Sequence, residues 1–87
     1  MEKIQLKYPV TVDGVEYKEI EMRRSKVKDR LAVSSMKTSD ENKEIHLFAN
    51  LCNVAPAVLE ELDETDYTKL QKVYIGFFDS QVISVEK

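Results

Sequence analysis

Residues 45–78 constrain the fold of this chain most, because apolar residues recur there at helical spacing in three consecutive segments. In the first segment, Ile45, Phe48 and Cys52 fall on one stripe at about 100° per residue. Pro56 then suits the first turn of a short helix, where its missing N–H is no loss. The third segment has the widest apolar face, made of Tyr67, Leu70, Val73, Tyr74, Phe77 and Phe78. We therefore expect three helices that each bury one side.

Capping residues mark where the first of these helices begins and ends. Thr38 and Glu41 form a pattern in which the Thr38 hydroxyl accepts the Glu41 backbone N–H while the Glu41 carboxylate reaches back. This pattern predicts a helix over about residues 39–52. Asn tolerates positive φ, so we expect Asn53 to end this helix in the left-handed conformation.

The last helix is predicted over about residues 64–79. Asp63 is expected to cap its start, with Asp66 three residues later as the second member of the cap. Their negative charges also suit the positive end of the helix dipole. Residues 80–87 follow as a tail that is either disordered or paired with a sheet edge as an added strand.

Residues 3–22 are predicted to form a β-hairpin. Apolar and polar residues alternate along the first half, as they do in a half-buried strand. Asp13-Gly14 separates the two strands, and Asp-Gly is a strong signal for a two-residue turn with positive φ at both positions. The apolar parity changes along the returning strand, so we expect a bulge near Lys18-Glu19 or a change of buried face there.

Residues 26–35 carry a weaker helical pattern. Val27 and Leu31 share one face of this helix, and Ser25 is positioned to cap it. The fold class is therefore predicted to be α+β, with an N-terminal β-hairpin followed by three to four helices packed on one face.

Chain length and charge limit the classes of function. The 87 residues suffice for one domain, residues 1–87, with the hairpin at 3–22, the helical part at 26–79 and the tail at 80–87. The net charge of −3 argues against nucleic-acid binding, which needs a cationic surface. No segment approaches the ~18 apolar residues of a membrane span. We predict neither a nucleic-acid nor a membrane partner, and the absence of a signal-peptide pattern predicts a cytosolic protein.

One basic run stands out against the acidic total. It consists of Arg23, Arg24, Lys26, Lys28 and Arg30. Acidic residues lie among and beside these cations, so we interpret the run as a solvated face. A regulatory DNA-binding module that uses this run remains an alternative.

The side chains that could carry chemistry have ordinary structural explanations. Cys52 lies on the apolar stripe and is expected to be a buried small hydrophobic residue. His46 has no carboxylate neighbour to orient it as a base. Helix capping accounts for Asp63 and Asp66. We therefore predict no catalytic residue, no metal site and no cofactor, and a protein that is not an enzyme.

In their order and spacing, these segments resemble the small tail assembly chaperones of Mu-like and related contractile-tailed phages. The resemblance covers about residues 4–78, and each motif taken alone has low specificity. The matching features are the Asp13-Gly14 hairpin, Met22-Arg23 at the end of an acidic strand, Leu47-Phe48-Ala49-Asn50-Leu51-Cys52-Asn53, then Pro56, Leu59 and Leu62, and finally Asp66-Tyr67-x-x-Leu70 with Phe77-Phe78.

The resemblance implies a viral protein of phage or prophage origin. Such chaperones coat the long, helical, apolar-rich tape-measure protein in the host cytoplasm until the tail tube polymerises around it. The expected contact is a client helix in a groove between chaperone helices. Apolar excess on three consecutive helices predicts the partner-binding residues of this groove, which are Phe48, Leu59, Leu62, Tyr74, Phe77 and Phe78. Self-association into a homo-oligomer is a further option, and the alternative function is a small structural tail or baseplate protein retained in the virion.

Overall fold

The hairpin predicted at the N-terminus is present. The computed structural model describes residues 1–85, and within residues 79–85 it describes the backbone but not the side chains. Strands β1 (Glu2–Val12) and β2 (Val15–Met22) form a two-stranded antiparallel sheet. Asp13 and Gly14 join them with φ angles of 52° and 79°. Positive φ at both positions confirms the predicted two-residue turn.

The two strands change register in the middle of the hairpin. Gln5 lies opposite Glu19 and Val10 lies opposite Tyr17, so residues 6–9 of β1 face a single residue of β2. The irregularity therefore lies beside the predicted position, but the extra residues belong to β1 and not to β2. The segment contains a proline, which cannot donate a ladder hydrogen bond and is tolerated where pairing is interrupted.

This irregularity leaves part of the β1 backbone unpaired with β2, and Asp66 accepts hydrogen bonds from it. Its carboxylate accepts the N–H groups of Lys7 and Tyr8, each at 3.0 Å. Lys69, one turn further along the last helix, lies 3.2 Å from the same carboxylate and donates to a carbonyl of β1. The predicted capping role of Asp66 is therefore wrong. Its fully buried side chain instead holds the last helix against β1.

Within residues 1–85, four helices follow the hairpin, which confirms the α+β fold. They are α1 (Val27–Ser34), α2 (Asp40–Cys52), α3 (Pro56–Glu60) and α4 (Glu64–Val85). Two local predictions are confirmed at their junctions. Asn53 ends α2 in the left-handed conformation with φ of 56°, and Pro56 occupies the first turn of α3.

Two helix boundaries differ from the sequence prediction. Ser39, one residue after the predicted cap Thr38, accepts the Asn42 N–H at 3.1 Å and caps α2. Helix α4 continues past the predicted end at residue 79 as far as Val85. The predicted tail is therefore helical over residues 80–85 instead of forming an added strand, and residues 86–87 lie outside the described residues.

The hydrophobic core lies between one face of the hairpin and the helices. Its buried apolar residues are Ile4, Leu6, Ile20, Met22, Val33, Leu47, Phe48, Ala49, Leu51, Cys52, Val58, Leu59, Leu62 and Leu70. Phe48 of α2 is at its centre and packs against Tyr67 of α4, with ring centroids 5.7 Å apart. The Tyr67 hydroxyl donates to Glu44 of α2 at 2.7 Å, so packing and a hydrogen bond together set α4 against α2.

Candidate partner-binding site

The six residues predicted to bind a partner fall into two groups. Three of them are buried in the core, at 9% exposure or less: Phe48, Leu59 and Leu62. The other three lie along α4, where Tyr74 and Phe77 are half-buried and Phe78 is 40% exposed. Only the α4 group therefore reaches the surface.

A row of contacting aromatic rings connects the core to this surface. The centroid of Tyr74 lies 5.1 Å from that of Phe48 and 5.0 Å from that of Phe78, the latter pair meeting edge to face. Each such aromatic pair stabilises the fold by roughly 0.5–1.5 kcal/mol, in addition to the effect of burying apolar area. Phe78 is therefore held on the surface by a ring that is itself anchored in the core.

An open groove of about 430 Å³ lies between the start of α1 and the Tyr74–Phe78 part of α4. We refer to it as the α1–α4 groove. Its lining residues are Arg24, Ser25, Lys26, Val27, Arg30, Tyr74, Phe77 and Phe78. Apolar rings from α4 form one wall, and α1 with the residues before it forms the other.

Helix α1 turns its apolar face outward. Val27 and Leu31 are 63% and 62% exposed, and they lie one turn apart on the same side of the helix. The helix buries Asp29 and Val33 instead. The sequence placed Val27 and Leu31 correctly on one face, but it did not indicate that Val27 lines a groove. The orientation of α1 depends on the burial of Asp29, which is a charge that needs a partner once it is buried.

An ion pair explains this orientation of α1. Arg23 donates two hydrogen bonds of 2.9 Å to the buried Asp29 carboxylate. The same carboxylate accepts the Lys26 N–H at 2.8 Å, so Asp29 caps α1 in place of the predicted Ser25. The backbone N–H of Arg23 also donates to the backbone carbonyl of Leu51 at the end of α2. These bonds fix one wall of the groove to the body of the domain.

Three further cations of the basic run border the groove, whereas Lys28 does not line it. The guanidinium of Arg24 lies over the Phe77 ring, 5.4 Å from its centroid, in a cation–π contact. Lys26 and Arg30 line the same wall. Within the described part of the chain, these three cations form no ion pair and no carboxylate lines the groove. Among the described side chains, the charged residues that line the groove are thus all cations, on a protein of net charge −3.

The residues considered for catalysis lie outside the groove. Burial raises the pKa of the Cys52 thiol to about 12, so this group stays protonated near neutral pH. His46 lies 2.9 Å through Nδ1 from the Asn42 carbonyl oxygen of its own helix. Across the described residues, no cluster of three His, Cys, Asp or Glu residues could hold a metal ion. None of the described helices combines the length and apolar character needed to cross a membrane.

Acid should destabilise the protein through Asp29 and Asp66. The hydrogen bonds from Arg23 hold the pKa of Asp29 at about 2, below its ordinary value of 3.8. For Asp66, burial acts to raise the pKa, but the two backbone N–H groups of β1 and Lys69 outweigh it and lower the pKa. Since both folded-state values lie below the unfolded ones, this stabilisation is complete above about pH 5 and is lost as the pH falls towards 2.

Urea denaturation between about pH 7 and pH 3 measures this loss. Asp29→Asn should lower the free energy of unfolding near pH 7 by about 1–3 kcal/mol and should flatten its pH dependence. Glu16→Gln, at an exposed position beside the turn, is the matched control and should change neither quantity. If neither Asp29→Asn nor Asp66→Asn changed the pH dependence of the free energy of unfolding, these two carboxylates would not be the source of the loss in acid.

Comparison with known families gives one match. A family model described as "Phage tail assembly chaperone proteins, E, or 41 or 14" matches residues 3–79. The matched range contains the hairpin, α1 to α3 and every residue that lines the α1–α4 groove. Comparisons with curated proteins and with solved structures gave no match.

Proposed function

Because the chain belongs to the phage tail assembly chaperone family, we propose that it binds the tape-measure protein in the host cytoplasm before the tail tube polymerises. Membership of a chaperone family suggests a role without catalysis. The observation that carries the proposal is the α1–α4 groove, where apolar side chains of two helices remain exposed next to each other. Exposed apolar surface of this kind marks sites of protein–protein contact.

Helix-in-groove binding accounts for recognition of a long helical client. Apolar side chains spaced one turn apart on the client helix enter between α1 and α4, where they contact Val27, Phe77 and Phe78. Each copy of this small protein offers only a few such contacts, so each binds weakly. Many copies along one client provide the necessary overall affinity. Tube subunits can then displace the copies one by one.

Co-expression with the tape-measure protein of the same phage tests the proposal. We expect an affinity-tagged tape-measure protein to retain several copies of this protein per client chain. We expect mass spectrometry of purified virions to detect none. Failure to co-purify near physiological salt would contradict the proposal. Recovery from virions in the amount of a structural subunit would favour a tail or baseplate component instead.

A further inference from the structure

We infer that the α1–α4 groove selects a client helix whose apolar stripe is bordered on one side by carboxylates. This inference rests on the proposed function for the existence of a client, and it adds the chemistry by which one client segment is preferred to another. It follows from the arrangement of charge and apolar surface within the groove.

The two walls of the groove differ in chemistry. Tyr74, Phe77 and Phe78 present aromatic rings from α4, whereas the three cations come from the opposite side, namely Arg24, Lys26 and Arg30. The Arg24 side chain extends from that side over the Phe77 ring. A helix lying between these walls points its apolar side chains at the rings and its neighbouring positions at the cations. Acidic residues at those positions lower the energy of the complex, and lysines there raise it.

Arg24 is the best placed of these cations to bind a carboxylate. Its guanidinium already lies over the Phe77 ring, which limits the conformations of a side chain that is otherwise highly mobile. A planar guanidinium binds a carboxylate through two parallel hydrogen bonds. A client Asp or Glu beside the apolar stripe can therefore pair with Arg24 while its neighbours contact Phe77.

A second copy of this chain fits the groove less well than a separate client. The exposed acidic residues near the α3–α4 junction are Glu60, Glu61, Asp63 and Glu64. In this part of the described chain, no large exposed apolar side chain accompanies them. A contact with a second copy through this acidic patch would thus satisfy the cations of the groove but leave its aromatic wall without a partner.

Nucleic acid also matches the groove poorly. Specific and non-specific binding to DNA both depend on neutralising several phosphates with free Lys and Arg side chains. Arg23, at the start of the basic run, is already paired with Asp29. Of the other cations in the run, Arg24, Lys26 and Arg30 border an aromatic wall on a protein with net negative charge. This arrangement suits an apolar client with a few carboxylates.

Two designed peptides test the preference directly. Both are helical, about 20 residues long and fluorescein-labelled, with the same leucine stripe at i, i+3, i+4 and i+7. One carries Glu at the positions along one side of the stripe, and the other carries Lys at the same positions. Fluorescence anisotropy with the full-length protein at about 50 mM NaCl should show the Glu peptide binding about tenfold more tightly. The difference should shrink at about 300 mM NaCl because salt screens the rim charges.

Charge variants locate the preference in the groove. Arg24→Glu/Arg30→Glu should reverse the preference, so that the Lys peptide binds more tightly. Arg24→Gln/Arg30→Gln should abolish it, and this variant serves if the charge reversal disturbs folding. Lys18→Glu/Lys72→Glu changes the net charge by the same amount at two exposed positions outside the groove, and it should retain the wild-type preference.

The outcomes separate this inference from the proposed function. Equal binding of both peptides, or loss of the preference in the Lys18→Glu/Lys72→Glu control, overturns the inference. Co-purification of the tape-measure protein in that case still supports the proposed function. A Glu-peptide preference without tape-measure binding overturns the proposed function and leaves the groove chemistry intact. Retention of a DNA duplex of about 20 base pairs that is lost in Arg24→Glu/Arg30→Glu would identify a nucleic-acid site instead.

Discussion

The double variant Val27→Ala/Phe78→Ala is expected to lose at least tenfold in co-purification with the tape-measure protein while it keeps its fold. Both side chains line the α1–α4 groove, and both are substantially exposed. Exposed side chains contribute little to the core, so their truncation costs little stability. Truncating the apolar anchors at the centre of an interface commonly costs a factor of ten or more in affinity. Pull-down by the tagged client, with circular dichroism on the same samples, measures both quantities.

Ile75→Ala is the matched control for this prediction. Ile75 lies on the same helix and is 55% exposed, but it does not line the groove. Its truncation should leave co-purification within about twofold of wild type, as expected for a position outside the contact. Equal losses in Ile75→Ala and in the double variant would show that the client binds another face of α4.

Phe48→Ala is expected to lower the free energy of unfolding by about 3–5 kcal/mol, the usual cost of emptying the space of a fully buried aromatic side chain. A domain of this size has a total stability on the order of 4–13 kcal/mol, so this loss is a large fraction of the total. The substitution also removes the Phe48 ring, against which Tyr74 packs. Urea denaturation followed by far-UV circular dichroism measures the change.

The same variant decides between two roles for Phe48. The sequence predicted this residue as a partner contact, whereas its complete burial makes it a core residue that supports the groove from below. Stability within about 1 kcal/mol of wild type, combined with loss of tape-measure binding, would restore the role predicted from the sequence. Ile75→Ala again serves as the comparison, because it removes a large apolar side chain from an exposed site.

Local features of the fold were predictable because their causes lie within a few residues. Asp13-Gly14 tolerates positive φ at both positions, and this alone favours the tight turn. Asn53 and Pro56 act in the same way at the end of α2 and the start of α3. Apolar residues at helical spacing predicted where the later helices lie, since that spacing requires one buried side.

The candidate site was only partly predictable. Aromatic residues on the last helix indicated a surplus of apolar surface, and the structure places Tyr74, Phe77 and Phe78 together in the groove. The opposite wall was missed because the basic run resembles an ordinary solvated face. Its contribution depends on Asp29 drawing Arg23 inward, which leaves the next cations along the edge of the groove.

The sequence by itself determined the turns, the helix positions and the excess of apolar surface, since dihedral preferences, capping and periodicity operate between near neighbours. Only the tertiary structure decided which apolar side chains are covered and which remain exposed. Phe48 and Phe78 have the same chemistry, but the first lies beneath α4 and the second at the edge of the groove. Likewise, Asp66 bonds to β1 and not to its own helix end, because a change of register leaves the backbone N–H groups of Lys7 and Tyr8 without a strand partner. The packing of α4 against β1 places the Asp66 carboxylate within hydrogen-bond distance of both.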